Sequence, residues 1–137
     1  MKSKIAAYCL LALLFFSPAC KKNISSAIIG NWISVSDFTM QANGIYMWTP
    51  VDRYPQSFSF SSEGRFSSFT DVPGGTGKYN YDGGLQQLTL SYEADRYGNI
   101  PNMQNFKVET ITSDKLVLSY FSPANNLVFK TEYLRVN

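Results

Sequence analysis

The chain has 137 residues, of which 15% are aromatic and only 16% are charged, and this balance predicts one densely packed domain. The net charge is +2, but the excess of basic side chains is confined to the N-terminal segment, where Lys2, Lys4, Lys21 and Lys22 all precede residue 23. Removing these four from the twelve basic side chains leaves eight against ten acidic ones, a net charge of −2. A slightly acidic domain argues against nucleic acid as a partner.

The N-terminal segment MKSKIAAYCLLALLFFSPAC has the features of an export signal. Two lysines precede an apolar run from Ile5 to Phe16, and small residues follow that run. The run is shorter than the ~20 apolar residues of a permanent membrane-spanning helix. We therefore predict a cleaved signal peptide over residues 1–19.

The residues Ser17-Pro18-Ala19-Cys20 resemble the lipobox of bacterial lipoproteins, with serine where leucine is usual, as in relaxed lipoboxes of the Bacteroidetes group. The resemblance implies that Cys20 carries fatty acyl chains such as palmitate, with residues 20–27 as a tether and the lipid bilayer as a partner. No acidic run follows Cys20, which favours the periplasmic side of the outer membrane within the cell envelope. The alternative is plain cleavage that leaves Cys20 as a free thiol.

From residue 28 to residue 137 the pattern is that of short β-strands separated by turns. Apolar and polar residues alternate, Phe, Tyr, Thr and Val are abundant, and no helical stretch is visible. Eight strands are predicted, in chain order at 28–36, 57–60, 65–69, 77–81, 88–92, 106–110, 116–120 and 127–136. Mostly hairpin-length links favour a closed up-and-down barrel over a sandwich, which remains the competing fold.

The segment 37–55 interrupts this regular spacing and is rich in Met and aromatic residues. We interpret it as a lid or an irregular first hairpin across the open end of the barrel. The alternative is that Asn43-Gly44 forms a tight turn between two ordinary strands, with the aromatic side chains in the core.

Three features resemble the lipocalin-like (calycin) families: Gly30-Asn31-Trp32 at the first strand, the Phe-turn-Gly-x-Phe pattern within residues 58–66, and Arg135 in the last strand. The resemblance implies an all-β, single eight-stranded antiparallel up-and-down barrel. It also implies that Trp32 closes one end and that Arg135 lies over the Trp32 ring in a cation–π contact. The alternative for Arg135 is a solvated side chain near the C-terminus.

The domain lacks the residues that several common kinds of catalysis require. There is no histidine, and the two cysteines both precede residue 21, so a Ser-His-Asp triad and His- or Cys-ligated metal sites are excluded. The carboxylates Glu93, Asp95 and Asp52 fit solvated loop positions better than acid–base catalysis. We therefore expect a binding protein without enzymatic activity, cofactor or metal.

The predicted barrel interior suits a small hydrophobic or aromatic ligand, since eight strands enclose room for about one such molecule. We predict ligand contacts from inward strand positions and from the 37–55 segment, at Phe58, Phe60, Tyr79, Tyr81, Phe106, Tyr133, Trp48 and Tyr46. The alternative is a filled core, in which case the protein is an envelope protein-interaction module or an inhibitor barrel. That alternative predicts Tyr46, Met47 and Trp48 as an exposed contact patch.

Overall fold

The structure, a computed structural model, describes residues 25–40, 44–69, 75–94, 103–124 and 126–137. The predicted signal peptide, Cys20 and most of the predicted tether lie outside these ranges, as does Asp95. Within them, no helix is long and apolar enough to cross a membrane.

One short helix and nine strands make up the described part of the chain. The helix α1 covers Ser25–Ile28 and leads directly into the first strand. The strands are β1 (Gly30–Met40), β2 (Tyr46–Pro50), β3 (Ser57–Phe60), β4 (Arg65–Phe69), β5 (Thr76–Asp82), β6 (Gln87–Tyr92), β7 (Met103–Ile111), β8 (Lys115–Ser122) and β9 (Leu127–Val136).

The strands form one antiparallel sheet that closes into a barrel. The sheet order is β2-β1-β3-β4-β5-β6-β7-β8-β9, and a further pairing between β1 and β9 completes the ring of eight strands. β2 is an addition that pairs only with β1 among the described strands. The predicted all-β, eight-stranded antiparallel up-and-down barrel is therefore confirmed, and the sandwich alternative is wrong.

β1 changes partner halfway along its length. Gly30 to Ile33 pair with β3, whereas Ser36 to Met40 pair with β2, and a bulge lies between Ser34 and Ser36. A bulge adds one residue to a strand, so it reverses which side chains face inward.

The register with β9 shows this reversal directly. Before the bulge, Ser34 pairs with the buried Tyr133; after it, Asp37 pairs with Thr131, which has the same inward parity as Tyr133. Phe38 pairs with Lys130 instead and faces outward. The interior above the bulge is consequently lined by a carboxylate where the unbroken alternation would place an aromatic ring.

Within the 37–55 segment the end of β1 pairs with β2, so the two ordinary strands of the hairpin alternative are present. Its turn residues 41–43 lie outside the described residues. Its aromatic side chains are not in the core, however. The rings of Tyr46 and Trp48 both lie 5.5 Å from that of Phe38 on the outer face of the barrel.

The hydrophobic core fills the half of the barrel that contains Trp32. Its members are almost fully buried and come from α1 and seven of the nine strands: Ile28, Trp32, Phe58, Phe60, Phe66, Leu88, Leu90, Val108, Leu116, Leu118 and Tyr133. Gly77 belongs to the same packing, because a Cβ there would strike the backbone of Ser91 and the ring of Phe66. The interior of this half is therefore occupied by the chain's own side chains.

Candidate functional site

The closed end of the barrel is sealed by Trp32, which has no solvent-exposed surface. Its indole nitrogen donates a hydrogen bond of 2.8 Å to the backbone oxygen of Ile28. The guanidinium carbon of Arg135 lies 4.2 Å from the centre of the Trp32 ring. Arg135 also donates hydrogen bonds to the backbone oxygens of Ala27 and Ile29, so its charged group is satisfied although it is half-buried.

Gly30 is required by this same arrangement. A Cβ at residue 30 would collide with the guanidinium of Arg135, and the φ angle of +135° is one that only glycine adopts readily. The Gly-x-Trp pattern therefore has a physical cause here: the glycine leaves the space that the arginine occupies above the tryptophan.

The opposite end of the barrel is open and contains a cleft of about 410 Å³. That volume lies within the range of small-molecule sites. Four aromatic side chains, one aliphatic side chain and four uncharged polar ones form its walls: Phe106, Tyr120, Phe121, Tyr133, Leu118, Gln56, Gln104, Asn105 and Thr131. No charged side chain of the described residues borders this cleft.

A smaller hollow of about 250 Å³ adjoins the cleft and shares Gln56, Tyr120 and Thr131 with it. Aromatic side chains line much of the hollow, and the rings of Tyr120 and Phe129 stack there with centres 5.1 Å apart. Unlike the cleft, it contains a carboxylate, that of Asp37.

The cleft and the adjoining hollow together form the mouth of the barrel. Hydrogen bonds hold the polar side chains of this mouth in place. The hydroxyl of Thr131 donates to Asp37 Oδ1 at 2.6 Å, and the hydroxyl of Tyr133 donates to Gln56 Oε1 at 2.7 Å. The backbone nitrogen of Gln56 donates to the hydroxyl of Ser34 at 2.7 Å. Because these groups are already oriented, little conformational entropy is lost when a ligand binds them.

Tyr133 joins the two halves of the barrel. Its ring packs against Phe58 in the core at 5.6 Å, whereas its hydroxyl belongs to the mouth. Burial and, to a smaller extent, the nearby Asp37 carboxylate raise the pKa of Tyr133 above its ordinary value. The hydroxyl is therefore a stable hydrogen-bond donor at neutral pH.

Two of the eight predicted ligand contacts, Phe106 and Tyr133, border the cleft. Phe58 and Phe60 lie in the filled half, and Tyr79 and Tyr81 pack half-buried against that core. The remaining two, Tyr46 and Trp48, are 38% and 40% exposed on the outer face, because the bulge in β1 turns the Phe38 side of the hairpin outward.

The candidate acidic residues have no catalytic arrangement in the described part of the chain. Glu93 is exposed and forms an ion pair of 2.7 Å with Arg65, whose hydrogen bond and charge hold the pKa of Glu93 below its ordinary value. Asp52 is exposed as well. The described residues contain no group of three or more His, Cys, Asp or Glu side chains that could hold a metal ion.

The sequence analysis missed the polar residues of the mouth, above all Asp37, Gln56 and Gln104. Thr131 could have been found, because it shares the parity of Phe129 and Tyr133 in the last strand. Asp37 could not, because the alternation from Trp32 onward predicts an outward side chain at residue 37. Only the bulge places it inside.

The chain resembles a known protein in structure, but its sequence matches neither a family model nor a curated protein. Among solved structures, the chain is similar to a lipocalin-like protein from Bacteroides uniformis, with 18% sequence identity and a TM-score of 0.55. The match covers 80% of this chain and 99% of that one. At this identity the likeness establishes the architecture alone: the chain has a lipocalin-like barrel.

Proposed function

We propose that this protein is a membrane-anchored, lipocalin-like binding protein that holds one small hydrophobic or aromatic ligand at the open mouth of its barrel and has no catalytic role. The observation that carries the proposal is the cleft of about 410 Å³ opposite the sealed end. A barrel filled throughout would have no such space.

The walls of the cleft suggest how a ligand is held. Phe106 and Tyr120, whose rings meet edge to face at 6.1 Å, offer aromatic surface for a flat apolar body. The side-chain amides of Gln56 and Gln104 offer donors and acceptors for its polar edge. This combination favours an aromatic ligand with one or two polar groups over a long unbranched hydrocarbon chain.

Binding of the neutral aromatic probe N-phenyl-1-naphthylamine tests this proposal. We expect a saturable rise in probe fluorescence with one site per chain. Gln104→Trp, at an inward mouth position, should lower the affinity by about tenfold because the larger side chain occupies the cleft. Asn80→Trp, on the exposed outer side of β5, is the matched control and should leave the affinity unchanged. Equal affinities in both variants would contradict the proposed site.

The membrane anchor depends on Cys20 and is tested separately. If this cysteine carries lipid, Cys20→Ser should move the protein from the membrane fraction to the soluble fraction. Probe binding should be unaffected by that substitution. Continued membrane association of the Cys20→Ser protein would refute lipid anchoring without affecting the ligand proposal.

An envelope protein-interaction module is the second candidate, and the outer face of the β1–β2 hairpin favours it. Tyr46 and Trp48 are exposed on that face, whereas Met47, which is 50% exposed, pairs with Thr39 and lies on the opposite side of the hairpin. Clustered exposed aromatic side chains are typical of protein contact sites. Saturable binding of the probe in the cleft would favour the carrier, whereas the absence of any ligand site would favour this second candidate.

A further inference from the structure

We propose that the ligand carries a positively charged amino group, and that Asp37 is the residue that recognises it. This inference rests on the proposed function and adds the chemical class of the ligand. It assigns the ammonium group to the smaller hollow and the aromatic body to the adjoining cleft.

The Asp37 carboxylate has no cationic partner in the described part of the chain. Among the described residues, its only side-chain hydrogen bond comes from the hydroxyl of Thr131, and it takes part in none of their ion pairs. An inward carboxylate can accept several hydrogen bonds, so it retains capacity for a ligand donor.

Lys130 is the one basic residue of the described part of the chain that borders the hollow. Its ammonium nitrogen lies over the ring of Phe38 on the outer face, 5.9 Å from the ring centre. It is also 4.0 Å from a carboxylate oxygen of Glu109. Lys130 is therefore directed toward Phe38 and Glu109, and no ion pair of the described residues joins it to Asp37.

Aromatic side chains line the hollow around the Asp37 carboxylate. Tyr54, Tyr120 and Phe129 border the hollow together with Asp37, and the Tyr120 and Phe129 rings are stacked within 16° of parallel. Aromatic faces attract cations, so these rings and the carboxylate favour the same kind of group. A carboxylate ligand would be repelled by Asp37, and a neutral ligand would leave its charge unpaired.

Three compounds of matched size test the inference by isothermal titration calorimetry on the purified protein: 2-phenylethylamine, 2-phenylethanol and 3-phenylpropionate. We expect the amine to bind about tenfold more tightly than the alcohol and the acid to bind most weakly, because only the amine is a cation that forms a hydrogen-bonded ion pair with Asp37.

Asp37→Asn removes the charge and retains an oxygen that accepts from Thr131. It should remove the preference for the amine and leave the affinity for 2-phenylethanol within about twofold, which also shows that the variant is folded. Asp52→Asn removes the same charge from an exposed residue outside the hollow and should change none of the affinities.

The outcomes separate the two proposals. Equal binding of amine and alcohol, tighter binding of the acid, or an amine preference that survives in Asp37→Asn would overturn the ligand class while leaving the cleft as a binding site. Failure of all three compounds to bind would overturn the ligand class together with the proposed function.

Discussion

The two ends of this barrel are built from different chemistry. At the closed end, Trp32 has no exposed surface and lies under Arg135, and the surrounding side chains are apolar and fully packed. At the open end, Asp37, Thr131 and Gln56 form a hydrogen-bonded polar layer beside an open cleft. Most of the buried apolar surface belongs to one half, and the polar groups of the other half are the ones to which we assign ligand binding.

The two tryptophans provide the strongest test of this division. Trp32→Ala should lower the free energy of unfolding by about 3–5 kcal/mol, because it removes a fully buried ring and leaves a cavity. Trp48→Ala should cost less than about 1 kcal/mol, because its ring is 40% exposed on the outer face. Urea unfolding followed by circular dichroism measures both values. Similar losses in the two variants would contradict a core confined to the closed end.

Gly30→Ala tests the fit between glycine and arginine at the closed end. We expect a loss of about 2 kcal/mol, because a Cβ strikes the Arg135 guanidinium and the backbone angle is unfavourable for alanine. The steric part of this loss should disappear when Arg135→Ala is already present. A double-mutant cycle in urea measures that coupling, and strictly additive losses would show that the glycine is needed for its backbone angle alone.

Tyr133 lies between the two halves of the barrel, and its burial should make the free energy of unfolding depend on pH. Its folded-state pKa is raised, so folding favours the neutral form, and this stability is fully present below the unfolded pKa of about 10. Above pH 10 it should be lost by about 1.4 kcal/mol per pH unit, since the unfolded state releases the proton more readily.

Tyr133→Phe removes this titrating group, so the loss of unfolding free energy above pH 10 should become smaller by about 1.4 kcal/mol per pH unit. The measurement is the free energy of unfolding at several pH values between 9 and 11. Equal slopes in the wild-type and Tyr133→Phe proteins would contradict a buried neutral hydroxyl.

The smallest effect is expected at the mouth. Thr131→Val keeps the shape of the side chain and removes the hydrogen bond to Asp37, so it should cost only about 1 kcal/mol of unfolding free energy. Its larger consequence should be weaker ligand binding, because the carboxylate loses its orienting partner. A loss as great as that of Trp32→Ala would show that the mouth is part of the stabilising core.

Much of this architecture could be predicted from local patterns. The seven barrel strands after the first hairpin follow from runs such as Ser57–Phe60, where alternating polar and apolar residues leave only one face to bury. The pair of Trp32 and Arg135 follows from the lipocalin-like resemblance, and the structure brings the two side chains together.

The amino-acid sequence by itself determined the number of barrel strands and the inward faces of the seven that follow the first hairpin, because each depends on alternation within a few residues. Tertiary structure alone decided what lines the mouth. The bulge at Val35, where β1 exchanges β3 for β2, shifts the alternation by one residue. That shift turns Phe38 outward and Asp37 inward, and it arises from strand partners distant in the chain, which no local pattern encodes.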